Sequence, residues 1–210
     1  DIATAVDMLT ATSDMTDIVG VPPVAAANRA YHSIGLGVMD YAGFLISEEI
    51  IFGSEASKRF TDMFFETMRF WALTRSTNIA RERNTKFEDF ELSAYADGSA
   101  LQWYVDRDRK DPEVVQNLVE KFNIPVPTKQ MWIDLIEHIK VHGLYHSYLM
   151  DIAPTGNISH VRGVIPALGP ARLLIEKREN DQGKTEYPEA HLTKENKDNY
   201  PQCYEIDERR

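Results

Sequence analysis

A chain of 210 residues with 43% hydrophobic content can bury one sizeable core or form a large piece of a bigger domain. Its 23 Lys and Arg face 33 Asp and Glu, a formal net charge of -10. That balance argues against a nucleic-acid partner, whose phosphates are bound mainly through cations. The single cysteine, Cys203, cannot close an internal disulfide, and no apolar run approaches membrane-spanning length, so the expectation is a cytoplasmic protein with no membrane partner.

In chain order, Ile2, Val6 and Leu9 predict an opening helix that must end before Val19-Gly20-Val21-Pro22-Pro23. A small-residue helix over Val24–Tyr31 follows. Ser33–Val38 reads as a short buried strand whose glycines let a neighbouring backbone approach closely, with a helix from about Asp40 to Ser47 after it. Between Ser54 and Arg83, the recurrence of Phe60, Met63, Phe64, Met68, Trp71, Ala72 and Ile79 predicts one long amphipathic helix. Beyond a loop containing Gly98, helices are expected over Ala100–Arg107, Pro112–Phe122 and Thr128–His142, the last capped by Thr128 and ended by Gly143. Tyr148–Ile152 reads as a second buried strand. From Glu176 onward the chain is highly charged and reads as a loop-rich excursion with a hairpin turn at Asp181-Gln182-Gly183.

Chemistry concentrates where Tyr148–Ile152 stops at Pro154. Thr155 and Asn157 are candidate N-caps around a permissive Gly156, and a turn of this kind leaves backbone N–H groups facing outward. Free amides at a helix start, helped by the helix dipole, suit a phosphate or carboxylate. The same Pro-Thr-Gly-Asn turn also serves as an ordinary connection. Other constellations read as structural. His138, His142 and His146 recur every four residues as metal ligands can, yet Gly143 should end the helix before His146 joins the others. Glu48-Glu49 and Glu88-Asp89 are adjacent carboxylates that point to different sides of a helix and read as surface charges. Trp71, Trp103 and Trp132 fit core positions. Arg162, Arg172 and Arg178 follow the loop, Arg162 being nearest to it in sequence, and His146 is a candidate hydrogen-bond partner of the loop.

Several ordered segments resemble the large, catalytic subunit of class I ribonucleotide reductase, most closely the class Ib type. They are Leu9–Met15, His32–Met39 continued by Tyr41 and Gly43-Phe44-Leu45, Ala80–Arg83, Tyr95–Gly98, Pro127-Thr128 with Trp132, His142–Tyr145, Pro154–Ser159, Tyr187-Pro188, Leu192–Asn196 and Tyr204-Glu205-Ile206. The resemblance covers essentially the whole chain. It implies an α/β fold, mostly helical here, forming a partial arc of the family's ten-stranded α/β barrel. Residues 1–153 would supply helices and two barrel strands, 154–160 the substrate-phosphate loop, and 161–210 a divergent, charged C-terminal segment. The implied activity is reduction of ribonucleoside diphosphates to deoxyribonucleoside diphosphates by a radical mechanism, for DNA precursor synthesis. Pro154, Thr155, Gly156, Asn157, Ile158 and Ser159 would bind the substrate diphosphate.

No catalytic residue, metal ligand or cofactor is expected in this chain. The family's radical cysteine and its redox cysteine pair have no counterpart, since Cys203 stands where relatives carry an ordinary residue. The resemblance implies a radical supplied by a dimetal (Fe or Mn) small, or beta, subunit, a thioredoxin- or glutaredoxin-like reductant, and the remaining segments of the large subunit as partners. The chain is accordingly expected to be a fragment, inactive in isolation and prone to associate through unpaired strand edges at Ile34–Val38 and Tyr148–Ile152. The alternative is a non-catalytic nucleotide-binding or assembly remnant of such an enzyme. Asn157 in place of a common Ser, His160, and the divergent Val161–Pro170 depart from the family pattern, leaving backbone donation at the loop intact while changing its side chains.

Overall fold

The computed structural model describes residues 1–16, 19–171, 173–180 and 183–200. Cys203, Tyr204-Glu205-Ile206, Arg172 and the expected turn residues Asp181-Gln182 lie outside the described residues. The chain divides into two compact units, one formed by Asp1–Leu36 and Asp62–Asp151, the other by Gly37–Thr61 and Ile152–Arg210.

In the first unit, helix α1 (Ile2–Met15) starts at Asp1, whose carboxylate accepts the Ala3 N–H at 2.9 Å. Helix α2 (Pro22–Tyr31) begins with its two prolines in the first turn, where a missing N–H costs nothing, and closes at His32 in the left-handed region. Helix α4 (Glu55–Arg83), whose first turns belong to the second unit, is 29 residues long, or about 44 Å at the usual rise. Its predicted stripe is real: Phe60, Met63, Met68, Ala72 and Ile79 are buried. Helices α5 (Ser99–Asp106), α6 (Glu113–Lys121) and α7 (Lys129–His142) follow. Thr128 caps α7 by accepting the Met131 N–H, and Gly143 at φ 77° ends it, as their residue types require.

The core of this unit gathers Phe70 and Leu73 from α4, Leu101 and Val105 from α5, and Trp132, Leu135, Ile136 and Ile139 from α7, closed by Phe87, Phe90 and Leu144. Trp132 stands edge-on to Phe70 and lies flat on Tyr104, with centroids 4.9 and 4.2 Å apart. Of the three tryptophans, Trp132 is core and Trp71 is half-buried, its indole N–H donating to the Pro125 carbonyl at 2.8 Å. Trp103 is a correction, being 58% exposed with the Arg107 guanidinium over its ring. On α5 the buried Leu101 and Val105 are four apart and define the inner face, so the residue midway between them points away from it.

The two expected buried strands are also corrected. Ser33–Val38 and Tyr148–Ile152 meet only in a single parallel bridge, Leu36 with Met150. The Ile34 and Leu36 amides donate to Tyr148 and Leu149, and the Asp151 amide returns to Leu36. Ile34 and Leu36 are buried, but Tyr148 is 74% exposed and Ile152 is also exposed. A lone parallel pair makes slanted hydrogen bonds, and among the described residues no third strand joins it, so regular strand geometry is not sustained. The expected close approach is present: a Cβ on Gly35 would stand 3.0 Å from the Asp151 Cβ.

In the second unit, α3 (Tyr41–Ser47) buries Ala42 and Ile46 with Ile165, Ala171 and Tyr200. Asp40 ties the unit together: its amide donates to the Ile165 carbonyl, one carboxylate oxygen accepts the Ile165 N–H, and the other meets the His191 Nε2 at 2.9 Å. Helix α8 (Gly156–Arg162) is followed by an antiparallel hairpin of β1 (Ile175–Asn180) and β2 (Gly183–Pro188) in register Asn180 with Gly183. The charged stretch expected to be loop-rich thus contains the only regular sheet among the described residues.

Candidate functional site

The loop builds its geometry from backbone. Thr155 occupies the N-cap position of α8 at φ 48°, ψ 22°, a left-handed conformation that a β-branched residue adopts only under constraint. The constraint is visible: its hydroxyl does not cap the helix but accepts the Ala167 N–H at 2.8 Å, while its carbonyl accepts the Ser159 N–H at 2.9 Å. Asn157 is inside the first turn and not a cap. Ser159 is fully buried and its hydroxyl donates to the Gly156 carbonyl at 2.9 Å.

What remains is a set of main-chain donors. The amides of Gly156, Asn157 and Ile158 have no hydrogen-bond partner among the described residues, as expected of a helix start without a side-chain cap. Pro154, Gly156, Asn157 and Ile158 are exposed, and nothing stands within 4 Å of the position a Gly156 Cβ would take. Arg162, nearest in sequence, sits in the last turn of α8, about 9 Å along the axis from the helix start at 1.5 Å per residue. Arg178 lies on β1.

Other sequence motifs assemble inside the first unit, where they hold each other. The Arg83 guanidinium donates to Asp14 at 2.6 Å and to the Tyr145 hydroxyl at 2.7 Å, Tyr145 donates to Asp14, and the Tyr145 ring stacks on His32 at 4.1 Å. Four segments distant in sequence therefore meet through Asp14, His32, Arg83 and Tyr145. Burial is the main cause that pushes the Tyr145 phenol up and the His32 imidazole down.

Beside them lies His146, expected to bond the loop and found instead fully buried with both ring nitrogens engaged in its own unit. Nε2 is 2.9 Å from the Thr10 hydroxyl and Nδ1 is 2.9 Å from the Ser76 hydroxyl. Thr10 donates its proton to the Val6 carbonyl and can only accept from His146, which places the imidazole proton on Nε2. Ser76 then donates to Nδ1, and its oxygen accepts the His146 amide at 3.2 Å. The circuit is closed with a neutral ring. Desolvation, the largest cause, holds its pKa at about 4. His138 and His142 pack edge-on at 4.6 Å on α7, while Gly143 ends that helix and sends His146 into this separate network. Among the described residues, no three metal-ligating side chains converge.

Sequence reasoning missed Glu66. Its carboxylate is almost wholly buried, accepts the Trp132 indole N–H at 2.8 Å, and pairs with Arg107 and with Arg109 at 2.5 Å; Asp62 also accepts from Arg107 at 2.9 Å. The signal was available: Glu66 stands three residues after Met63 and four before Phe70, on the buried stripe of α4.

Comparison with known proteins gives these motifs a common source. Residues 1–210 match the family described as ribonucleotide reductase, barrel domain. The chain is 38% identical over 204 residues to the ribonucleoside-diphosphate reductase subunit alpha of Bacillus subtilis, covering 97% of this chain and 29% of that protein. It is 34% identical over 202 residues to the protein of the same name from Mycoplasma pneumoniae, and 29% identical over 182 residues to that from Chlamydia pneumoniae, covering 28% and 16% of those proteins. The chain spans less than a third of the length of these relatives. With every residue inside the match, it belongs to the ribonucleotide reductase barrel-domain family.

Proposed function

We propose that this chain is the part of a ribonucleoside-diphosphate reductase large subunit that holds the substrate's diphosphate, within an arc of the family's ten-stranded barrel, in the cytoplasm. The observation that carries the reading is the set of partnerless amides of Gly156, Asn157 and Ile158 beside open space at an exposed turn. Diphosphate oxygens accept from such donors, and the dipole of α8 adds to the attraction. The donors are main-chain groups, so the exchange of a usual Ser for Asn157 leaves them in place. Thr155 and Ser159 shape the turn from behind, their hydroxyls being engaged with Ala167 and Gly156.

The chemistry of reduction would come from outside this chain. A radical delivered from a dimetal small subunit, cysteines elsewhere in the large subunit and a thioredoxin- or glutaredoxin-like reductant complete the reaction in this reading. The chain alone, with one cysteine, is expected to give no deoxynucleotide when mixed with small subunit and reductant; turnover would overturn the division of labour.

Binding is tested by titrating CDP against the chain, followed by phosphorus NMR. Gly156→Pro removes one amide at the first helical position but also disfavours the left-handed conformation of Thr155 before it, so the variant is compared by circular dichroism with the parent, and affinity should fall by at least about tenfold. Equal binding by the variant, or no binding by a chain shown to be folded, would count against the site.

A further inference from the structure

A second feature lies wholly within the first unit and has no part in the diphosphate reading. Between α2 and the segments 87–93 and 147–148 is a cleft of about 620 Å³. Val24, Ala27, Tyr31, Phe87, Leu92 and Tyr148 give it apolar walls, and of these Leu92 is 85% exposed and Tyr148 is 74% exposed. Large apolar side chains gathered on one exposed concavity mark an interaction surface far more often than single exposed ones do.

The polar lining narrows the choice of occupant. Asn28 is bonded through both ends of its amide to Ser13, Ser33 and Ser147 bond each other at 2.9 Å, and Ser93 donates to the Phe90 carbonyl at 2.6 Å. Glu88 and Asp89 are the only charged residues lining the cleft, and neither carboxylate has a side-chain hydrogen bond or ion pair among the described residues. Their adjacency, which in a helix would send them to opposite sides, here falls on a loop, and both reach the cleft. The walls are held in place by main-chain bonds from Glu88 to Ala30 and from Ser147 to Tyr31, at 2.8 and 3.0 Å.

We infer that this cleft docks a peptide segment of a partner polypeptide in which an apolar side chain is flanked by Lys or Arg. The apolar side chain fills the space over Phe87 between Tyr31 and Tyr148, and the cation meets Glu88 and Asp89 at the rim, an arrangement in which the acids set selectivity and the apolar walls supply most of the affinity. An anionic segment finds no cationic side chain in the lining to meet it.

The test uses a random peptide library displayed on phage, panned against the full chain. Peptides that pair Lys or Arg with apolar residues should be enriched, and synthetic versions should bind the parent about tenfold more tightly than the Glu88→Gln/Asp89→Asn variant. Both side chains are exposed and partnerless, so the variant should keep the parent's circular dichroism and melting temperature. Tyr148→Ser should weaken the same peptides. Bound peptide should slow amide hydrogen exchange in residues 87–93 and 147–148. Enrichment of peptides without cations, equal affinity for the double variant, protection confined to other segments, or no enrichment over the bare support would each overturn the proposal. So would a self-associated parent that the double variant turns into a monomer by light scattering, since the occupant would then be a second copy.

Discussion

Two regions carry family motifs and use them in opposite ways. In the first unit Asp14, His32, Arg83 and Tyr145, with Thr10, Ser76 and His146 beside them, have their polar atoms turned on one another. In segment 154–159 the side-chain hydroxyls are likewise engaged, but three main-chain amides have no partner among the described residues. Matching residues in a sequence can thus mark either a scaffold, recognised by mutual satisfaction, or, in the reading proposed above, a site, recognised by donors that no described residue engages.

The sharpest way to break this comparison is to remove Glu66 from the first unit. Glu66→Ala leaves Arg107, Arg109 and the Trp132 indole without their shared buried acceptor, and should cost about 3–5 kcal/mol in urea unfolding. A loss below 1 kcal/mol would mean that the network is not a scaffold. Next in size is the pH dependence of His146. Its native pKa of about 4 lies below the ordinary 6.5, so the unfolded chain binds the proton first as pH falls. The contribution is complete above about pH 6.5, declines through the window down to pH 4, and amounts to on the order of 3 kcal/mol. His146→Gln should be less stable at pH 7.5 and should flatten the dependence between pH 6.5 and 4; an unchanged slope would contradict the buried neutral ring. The smallest effect is expected in the other region. Thr155→Val keeps the β-branched shape but deprives the Ala167 amide of its acceptor, costing about 1 kcal/mol while leaving the three outward amides chemically intact. If CDP affinity collapses while stability barely moves, the hydroxyl itself belongs to the site.

Much of the helical frame was legible. The period of Phe60, Met63, Met68, Ala72 and Ile79 fixes α4 because no other element buries residues at that spacing, and Thr128 and Gly143 mark the ends of α7 by the backbone conformations they stabilise. Strands were less legible. Apolar runs such as Ser33–Val38 record burial but not the number of partners, and with one partner only the Leu36–Met150 bridge forms. The loop was legible as a turn because Pro154 and Gly156 restrict and free the backbone in sequence. The destinations of the Thr155 and Ser159 hydroxyls were not, since Ala167 joins the turn only through tertiary folding. The pairing of Arg107 and Arg109 with Glu66 was not legible, because nothing local shows which buried carboxylate meets them.

The contact at Gly35 has a mechanical consequence. A Cβ there would press on Asp151 at 3.0 Å, and Asp151 is the last residue of the first unit before the chain departs towards Pro154. Gly35→Ala would push that departure point by a few tenths of an ångström without altering any residue of the turn. Position 35 therefore acts as a set screw on Asp151 itself, so the end of this segment is gauged by a residue more than a hundred positions away.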